Sequence, residues 1–236
     1  MGQIAPFYST KKVAGAFDMG HIPNFTKEQK IILDEIKQEP FFKDQFYFTG
    51  GTALSSVYLQ HRESDDIDLF SEKKFDDKVI FSFMSEWGRR HNFDLQSRFI
   101  EVVYIFNLVF SDKTELKVDF SYYPYKRIEK GQVLDGIIID SLNDIAINKL
   151  LTITQRAEVK DFVDLYFLLQ KFTVWDLLEG VRAKFKTKLE LFLLSADFLK
   201  VEEFDYLPRM IKPLTLEELK SFFRQEAKEI GRIATE

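Results

Sequence analysis

The sequence contains no cysteine. Disulfide frameworks and thiolate metal sites are thereby excluded, and the absence fits a reducing, cytoplasmic setting. Only three histidines occur among the 236 residues, too few for a His-rich zinc centre. With 10 Gly and 6 Pro, the composition argues for packed elements and against long disordered tracts. No apolar run approaches the roughly 20 residues of a membrane span, so no membrane partner is expected. The opening MGQIAPFYSTKKVAGAFDMG has no apolar core long enough for a signal peptide. A net charge of −5 argues against a protein that coats nucleic acid by charge alone, although a local basic groove stays compatible with it.

What is present is an apolar, Phe-rich chain, with 45% hydrophobic residues and 25 Phe, long enough for one large domain or two modest ones. Residues 1 to 24 show no clear period and read as a loosely docked arm. TKEQKIILDEIKQ opens on a Thr cap and places Ile31, Ile32 and Ile36 on one helical face. QFYFTG reads as a short strand, Thr52 to Gln60 as a helix and DDIDLF as a strand. DDKVIFSFMSEWGRRH reads as an amphipathic helix. FDLQSRFI, VVYIFNLVF and ELKVDFSYY follow as strands, the last two as a hairpin across SDKT. GIIID adds one more strand. From Ser141 the pattern is helical to the end. The expectation is an α+β fold, with a mixed-sheet core over 1–140 and an all-helical lobe over 141–236, packed across a cleft.

The chemistry concentrates in GGTALSSVYLQHRESDDIDLF, from Gly50 to Phe70. On a strand, residues i and i+2 share a face, so Asp66 and Asp68 project together while Ile67 and Leu69 turn to the core. Two carboxylates on one face repel unless solvent or a cation intervenes. Oxygen-only donors suit Mg²⁺ or Mn²⁺. The bland alternative is an acidic strand end dipping into solvent. Gly50 and Gly51 precede a helix start, where the N–H groups of Gly51, Thr52 and Ala53 are free to hold phosphate. In ELKVDFSYY, Lys117, Asp119 and Ser121 share the face opposite Leu116, Val118 and Phe120. If this strand neighbours DDIDLF, Asp119 joins the pair, and three carboxylates can hold two divalent ions about 3.5–4 Å apart for in-line attack on a phosphate. Otherwise Asp119 pairs with Lys117 or a nearby Arg.

Gly50-Gly51, Asp66-x-Asp68 and Asp119 on a later strand resemble the polymerase-β-type nucleotidyltransferase pattern. More closely, GGTAL, HRESDDIDLF, KVDF and NKLLTITQRAEVKDFVDLYFLL resemble the AbiEii/AbiGii toxin family of nucleotidyltransferases, over about residues 46 to 170. The interval from the glycines to Asp66 is slightly long for the wider superfamily. The resemblance implies transfer of a nucleoside monophosphate from an NTP, in a bacterial toxin–antitoxin or phage-defence setting with a separately encoded antitoxin, and tRNA as the acceptor. It implies Asp66, Asp68 and Asp119 as ligands of Mg²⁺ or Mn²⁺, and Gly50, Gly51 and Thr52 as the phosphate cradle. It also implies that Lys149 and Asp161 line the cleft, the Lys149 charge facing the triphosphate and Asp161 orienting Lys149 or Arg156 or touching the nucleotide. Ser64 either contacts a phosphate or caps the turn. Arg182, Lys184, Lys186 and Lys188 form a basic run that reads either as solvated surface or, with Arg156 and Lys160, as an RNA contact. The alternatives are a small-molecule, antibiotic-type nucleotidyltransferase and a non-catalytic nucleotide-binding module.

Overall fold

The structure is a computed structural model that describes residues 25–235; the arm expected over residues 1 to 24 lies outside them. Helix α1 (Lys27–Gln38) starts at a capping box. Gln29 N donates to Thr26 Oγ1 at 3.2 Å, and Thr26 N donates to Gln29 Oε1 at 2.9 Å. Pro40 sits in the first turn of α2 (Pro40–Gln45), where its missing N–H costs nothing. Strand β1 (Tyr47–Thr49) leads into α3 (Gly50–Ala53), which continues as a π-helical turn, Leu54–Leu59. That turn ends at Gln60, in the left-handed region at φ 48°. The long interval before Asp66 is therefore filled by a widened turn and an extended loop.

Next come β2 (Ile67–Ser71), α4 (Asp77–His91), β3 (Phe93–Ile100), β4 (Val103–Phe110), β5 (Glu115–Tyr122), β6 (Gln132–Leu134) and β7 (Ile137–Ile139). All seven strands join one mixed sheet in the order β3-β4-β5-β2-β1-β7-β6. Strand β2 pairs parallel with β5 and antiparallel with β1. The expected hairpin is β4–β5, and β3 extends it to an antiparallel meander. Strand β6 and helix α2 were not anticipated, because three and six residues are too short to display a period.

One face of the sheet is apolar. Phe48, Leu69, Val118 and Phe120 are fully buried there, and Phe42 packs on Trp87 and Phe120 with ring centroids at 5.1 and 5.6 Å. Helices α5 (Leu142–Gln155), α6 (Val159–Leu168), α7 (Val174–Phe185), α8 (Leu191–Leu199) and α9 (Leu216–Thr235) form the helical part. Phe162 and Phe198 meet Phe223 of α9 at 5.1 and 5.2 Å, and such edge-on aromatic pairs contribute about 0.5–1.5 kcal/mol each beyond area burial. The buried apolar residues of sheet and helices form a single cluster. The fold is α+β, with the helical region C-terminal.

Candidate active site

The sheet register brings the sequence motifs together. Asp68 stands opposite Thr49 of β1 on one side and opposite Asp119 of β5 on the other. Ile67 and Leu69 are fully buried on the apolar face, so the pleat turns Asp68 outward as the i, i+2 pattern requires. Gly50 lies against the Asp68 side chain: a Cβ there would stand 2.7 Å from Asp68 Cγ. Its φ is +76°, in the region that side chains other than glycine's rarely adopt. A Cβ on Gly51 would meet Arg62 Nη2 at 2.5 Å and Ser64 Oγ at 3.2 Å. Both glycines are thus required by close approach. Thr52 Oγ1 donates to Ser64 Oγ at 2.9 Å, tying the helix start to the loop before β2.

Burial, with Asp119 and Asp66 adding like-charge repulsion, pushes the Asp68 carboxyl up to about 6. Burial also raises Asp119, despite the ammonium of Lys117 at 2.5 Å from its Oδ2. Lys117 Nζ stands 3.9 Å from Asp66 Oδ2 as well. Asp119 Oδ1 is buried without a hydrogen-bond partner among the described residues. Among those residues no three acidic or histidine side chains converge into a ready metal cluster. The donor chemistry still suits a divalent cation: the oxygens are carboxylates, Asp119 Oδ1 is unpartnered, and one lysine ammonium stands between Asp119 and Asp66.

Behind this face lies a buried ionic network. Asp164 of α6 is fully buried and pairs with Lys149 Nζ at 2.6 Å and with Arg62 Nε and Nη2 at 2.7 and 2.9 Å. His61 Nε2 lies 2.7 Å from the same carboxylate. Asp161, also fully buried, accepts from Lys149 Nζ at 2.7 Å and from Arg156 Nε at 2.8 Å. Burial alone would raise Asp164, yet Lys149 and Arg62 hold it well below the usual carboxylate range. Against the same burial, Lys149 and Arg156 lower Asp161. Burial lowers His61, which favours its neutral form.

Lys149 was expected to face the cleft. It is only 8% exposed and is held between two buried acids. Arg156 is the more open cation, its side chain 49% exposed. Arg62, His61 and Asp164 were given no role by the sequence reading. Their signal was present: Asp164 follows Asp161 by three residues on one helix, hence on one face. The basic run is divided: Lys186 is exposed, whereas the other three meet carboxylates. Lys184 is buried, its Nζ 2.6 Å from Asp144 Oδ1, while Arg182 pairs with Glu179 and Lys188 lies 3.8 Å from Glu190. Asp144 also accepts from Ile128 N and Glu129 N, both at 2.9 Å, so Lys184 completes a structural node.

A glycine-kinked helix start over an Asp-x-Asp strand, with a third Asp opposed in register, is the arrangement of a nucleotidyltransferase. The model of the nucleotidyl transferase AbiEii toxins, of type IV toxin–antitoxin systems, matches residues 31–235, and the chain belongs to that family. Membership implies an NTP substrate and an antitoxin partner. Uncharacterized protein aq_aa25 of Aquifex aeolicus (strain VF5) is 32% identical over 211 residues, covering 86% of this chain and 96% of that protein. The fold is similar to that of JHP933 from Helicobacter pylori, with a TM-score of 0.54 and 20% identity over 90% of this chain and 95% of the other. No helix of the described residues is long and apolar enough to cross a membrane.

Proposed function

We propose that this chain transfers a nucleoside monophosphate from an NTP to a hydroxyl acceptor, as a toxin whose antitoxin is encoded separately. The supporting observation is the register of Asp68 opposite Asp119, with Gly50 against Asp68. Asp66, Asp68 and Asp119 would hold Mg²⁺ or Mn²⁺, which when bound supplies charge neutralisation to the triphosphate and acidifies the attacking hydroxyl. As an alternative to holding the ion, Asp119 accepts the proton of the attacking hydroxyl. The N–H groups of Gly51 and Thr52, at the helix start, hold triphosphate oxygens. Ser64 and Thr52 add hydroxyls at the same end. Arg156 offsets charge developing on the leaving pyrophosphate. Asp161 aims Arg156, and Lys149 fixes Asp161, so both act as positioning residues. In this scheme residues 1–140 are the catalytic core and 141–236 the lobe that closes over it.

For the acceptor, tRNA is the reading the resemblance carries. A small-molecule acceptor is favoured by one observation, the burial of Lys184 and the acid partners of Arg182 and Lys188, which thin the basic run to the exposed Lys186. The test is incubation with Mg²⁺, each labelled NTP, and either total tRNA or aminoglycosides. A labelled RNA band is the expected result. Label on the small molecule establishes the second reading, and metal-dependent NTP binding without product reduces the chain to a nucleotide-binding module.

A further inference from the structure

We propose that the base of the nucleotide stacks on a ledge formed by Phe70 and Tyr123, facing Asn148 of α5. The inference rests on the nucleotidyl-transfer reading and adds the base subsite to it. Phe70 follows Asp68 by two residues on β2 and so shares its face. Tyr123 follows Asp119 by four, and its N–H donates to Ser71 O at 2.7 Å, extending the β5 ladder to that residue. The two rings are neighbours, with centroids 4.8 Å apart and planes tilted by 38°.

Their exposure sets them apart. The aromatics on the opposite face, Phe48 and Phe120, are fully buried, whereas Phe70 and Tyr123 are only half-buried. Two strand residues span about 6.6 Å, roughly the distance a ribose must bridge between a phosphate at Asp68 and a base. Tyr123 is flanked by Tyr125 at 5.0 Å, by Phe185 of α7 at 6.2 Å and by Lys184 Nζ at 5.8 Å, and Phe70 by its cross-strand neighbour Tyr47 at 6.1 Å. The ledge is therefore stiff as well as accessible.

The opposing helix fits the same direction. Asn148 and Thr152 recur at i and i+4 and are incompletely buried, while Lys149 and Leu150 between them are buried, and Arg156 follows as the extended residue that ends the helix. This stripe runs from the ledge to the guanidinium that Asp161 aims. Tyr123 Oη donates to Asn148 Oδ1 at 3.4 Å, and Asn148 Nδ2 has no partner among the described residues. A carboxamide at this place has a donor and an acceptor to offer a base edge. Aromatic stacking supplies affinity that tolerates any base, and the amide supplies the preference.

The probes are inorganic tripolyphosphate and the four NTPs, each titrated with Mg²⁺ into the full chain by calorimetry. The wild type should bind its preferred NTP roughly tenfold or more tightly than tripolyphosphate. Phe70→Leu keeps an apolar side chain without a ring. It should bring NTP affinity down to that of tripolyphosphate and leave tripolyphosphate binding unchanged. Asn148→Ala, at a half-exposed helical position, should level the four NTPs, and it serves as the second test if Phe70→Leu melts early. Wild-type binding of tripolyphosphate as tight as any NTP overturns the ledge while leaving nucleotidyl transfer intact. Unchanged NTP affinity in Phe70→Leu and an unchanged ranking in Asn148→Ala overturn it too. A wild type that binds neither probe overturns both readings.

Discussion

Gly50 and Asp68 fit against each other so closely that no side chain can be added to the first without moving the second. The ideal Cβ position on Gly50 falls 2.7 Å from Asp68 Cγ and 2.9 Å from its Cβ, and the Gly50 φ of +76° excludes easy relaxation. Gly50→Ala should cost about 1–2 kcal/mol in backbone strain. It should also reduce turnover by roughly 100-fold, because a displacement of about 1 Å in a reacting geometry has that effect. Steady-state transfer and thermal melting of the same variant check both numbers, and full activity would show that Asp68 needs no such support.

Asp66→Asn and Asp68→Asn should each abolish transfer and leave the fold in place. Both keep the side-chain volume and remove a carboxylate charge. At Asp68 the charge is desolvated and repelled by Asp119 and Asp66, so its loss should leave the melting temperature equal or higher. Near-wild-type turnover in either variant would remove the carboxylate scheme.

Lys149→Ala should be strongly destabilising, by about 3–5 kcal/mol, since it strands Asp161 and Asp164 in the interior. A Lys149 charge free in the cleft would instead leave stability nearly unchanged. Chemical denaturation decides between them.

Acid should weaken the fold through the same network. Asp161 and Asp164 have folded-state values below the unfolded value of 3.8. Their contribution is therefore present above about pH 4 and is lost as pH falls toward the depressed folded values. Melting between pH 2.5 and 6 should show the wild type losing stability below about pH 4, with a flatter acid limb in Asp161→Asn. Parallel curves for the two proteins would show that Asp161 is not ionised in the fold.

Within the basic run, Lys184→Ser should destabilise, while Lys186→Ser and Lys188→Ser should not. Lys184 is buried on Asp144, whereas the other two are exposed and exposed pairs contribute about 0–1 kcal/mol. Equal melting temperatures for all three would mean that Asp144 is satisfied by Ile128, Glu129 and Ser141 alone.

The sequence by itself determined the elements that carry a period and the residues that carry charge. Alternation placed Asp68 and Asp119 opposite the apolar faces of their strands, because a pleated strand has a strict period of two. The Gly-Gly step and the Asp-x-Asp strand were legible for the same reason: both are local. The strand order and the ionic partners were decided only in three dimensions. Nothing near Asp119 in the chain says that β5 lies beside β2, with roughly forty residues and two further strands between them. Lys149 and Lys184 looked like cleft and surface cations, since a lysine in a helix is usually solvated. Whether an ammonium meets water or a buried carboxylate depends on which helices pack against it. Here α6 brings Asp161 and Asp164 to Lys149, and α5 brings Asp144 to Lys184. The desolvation of each pair is a property of the packed molecule, and no local pattern in the chain encodes it.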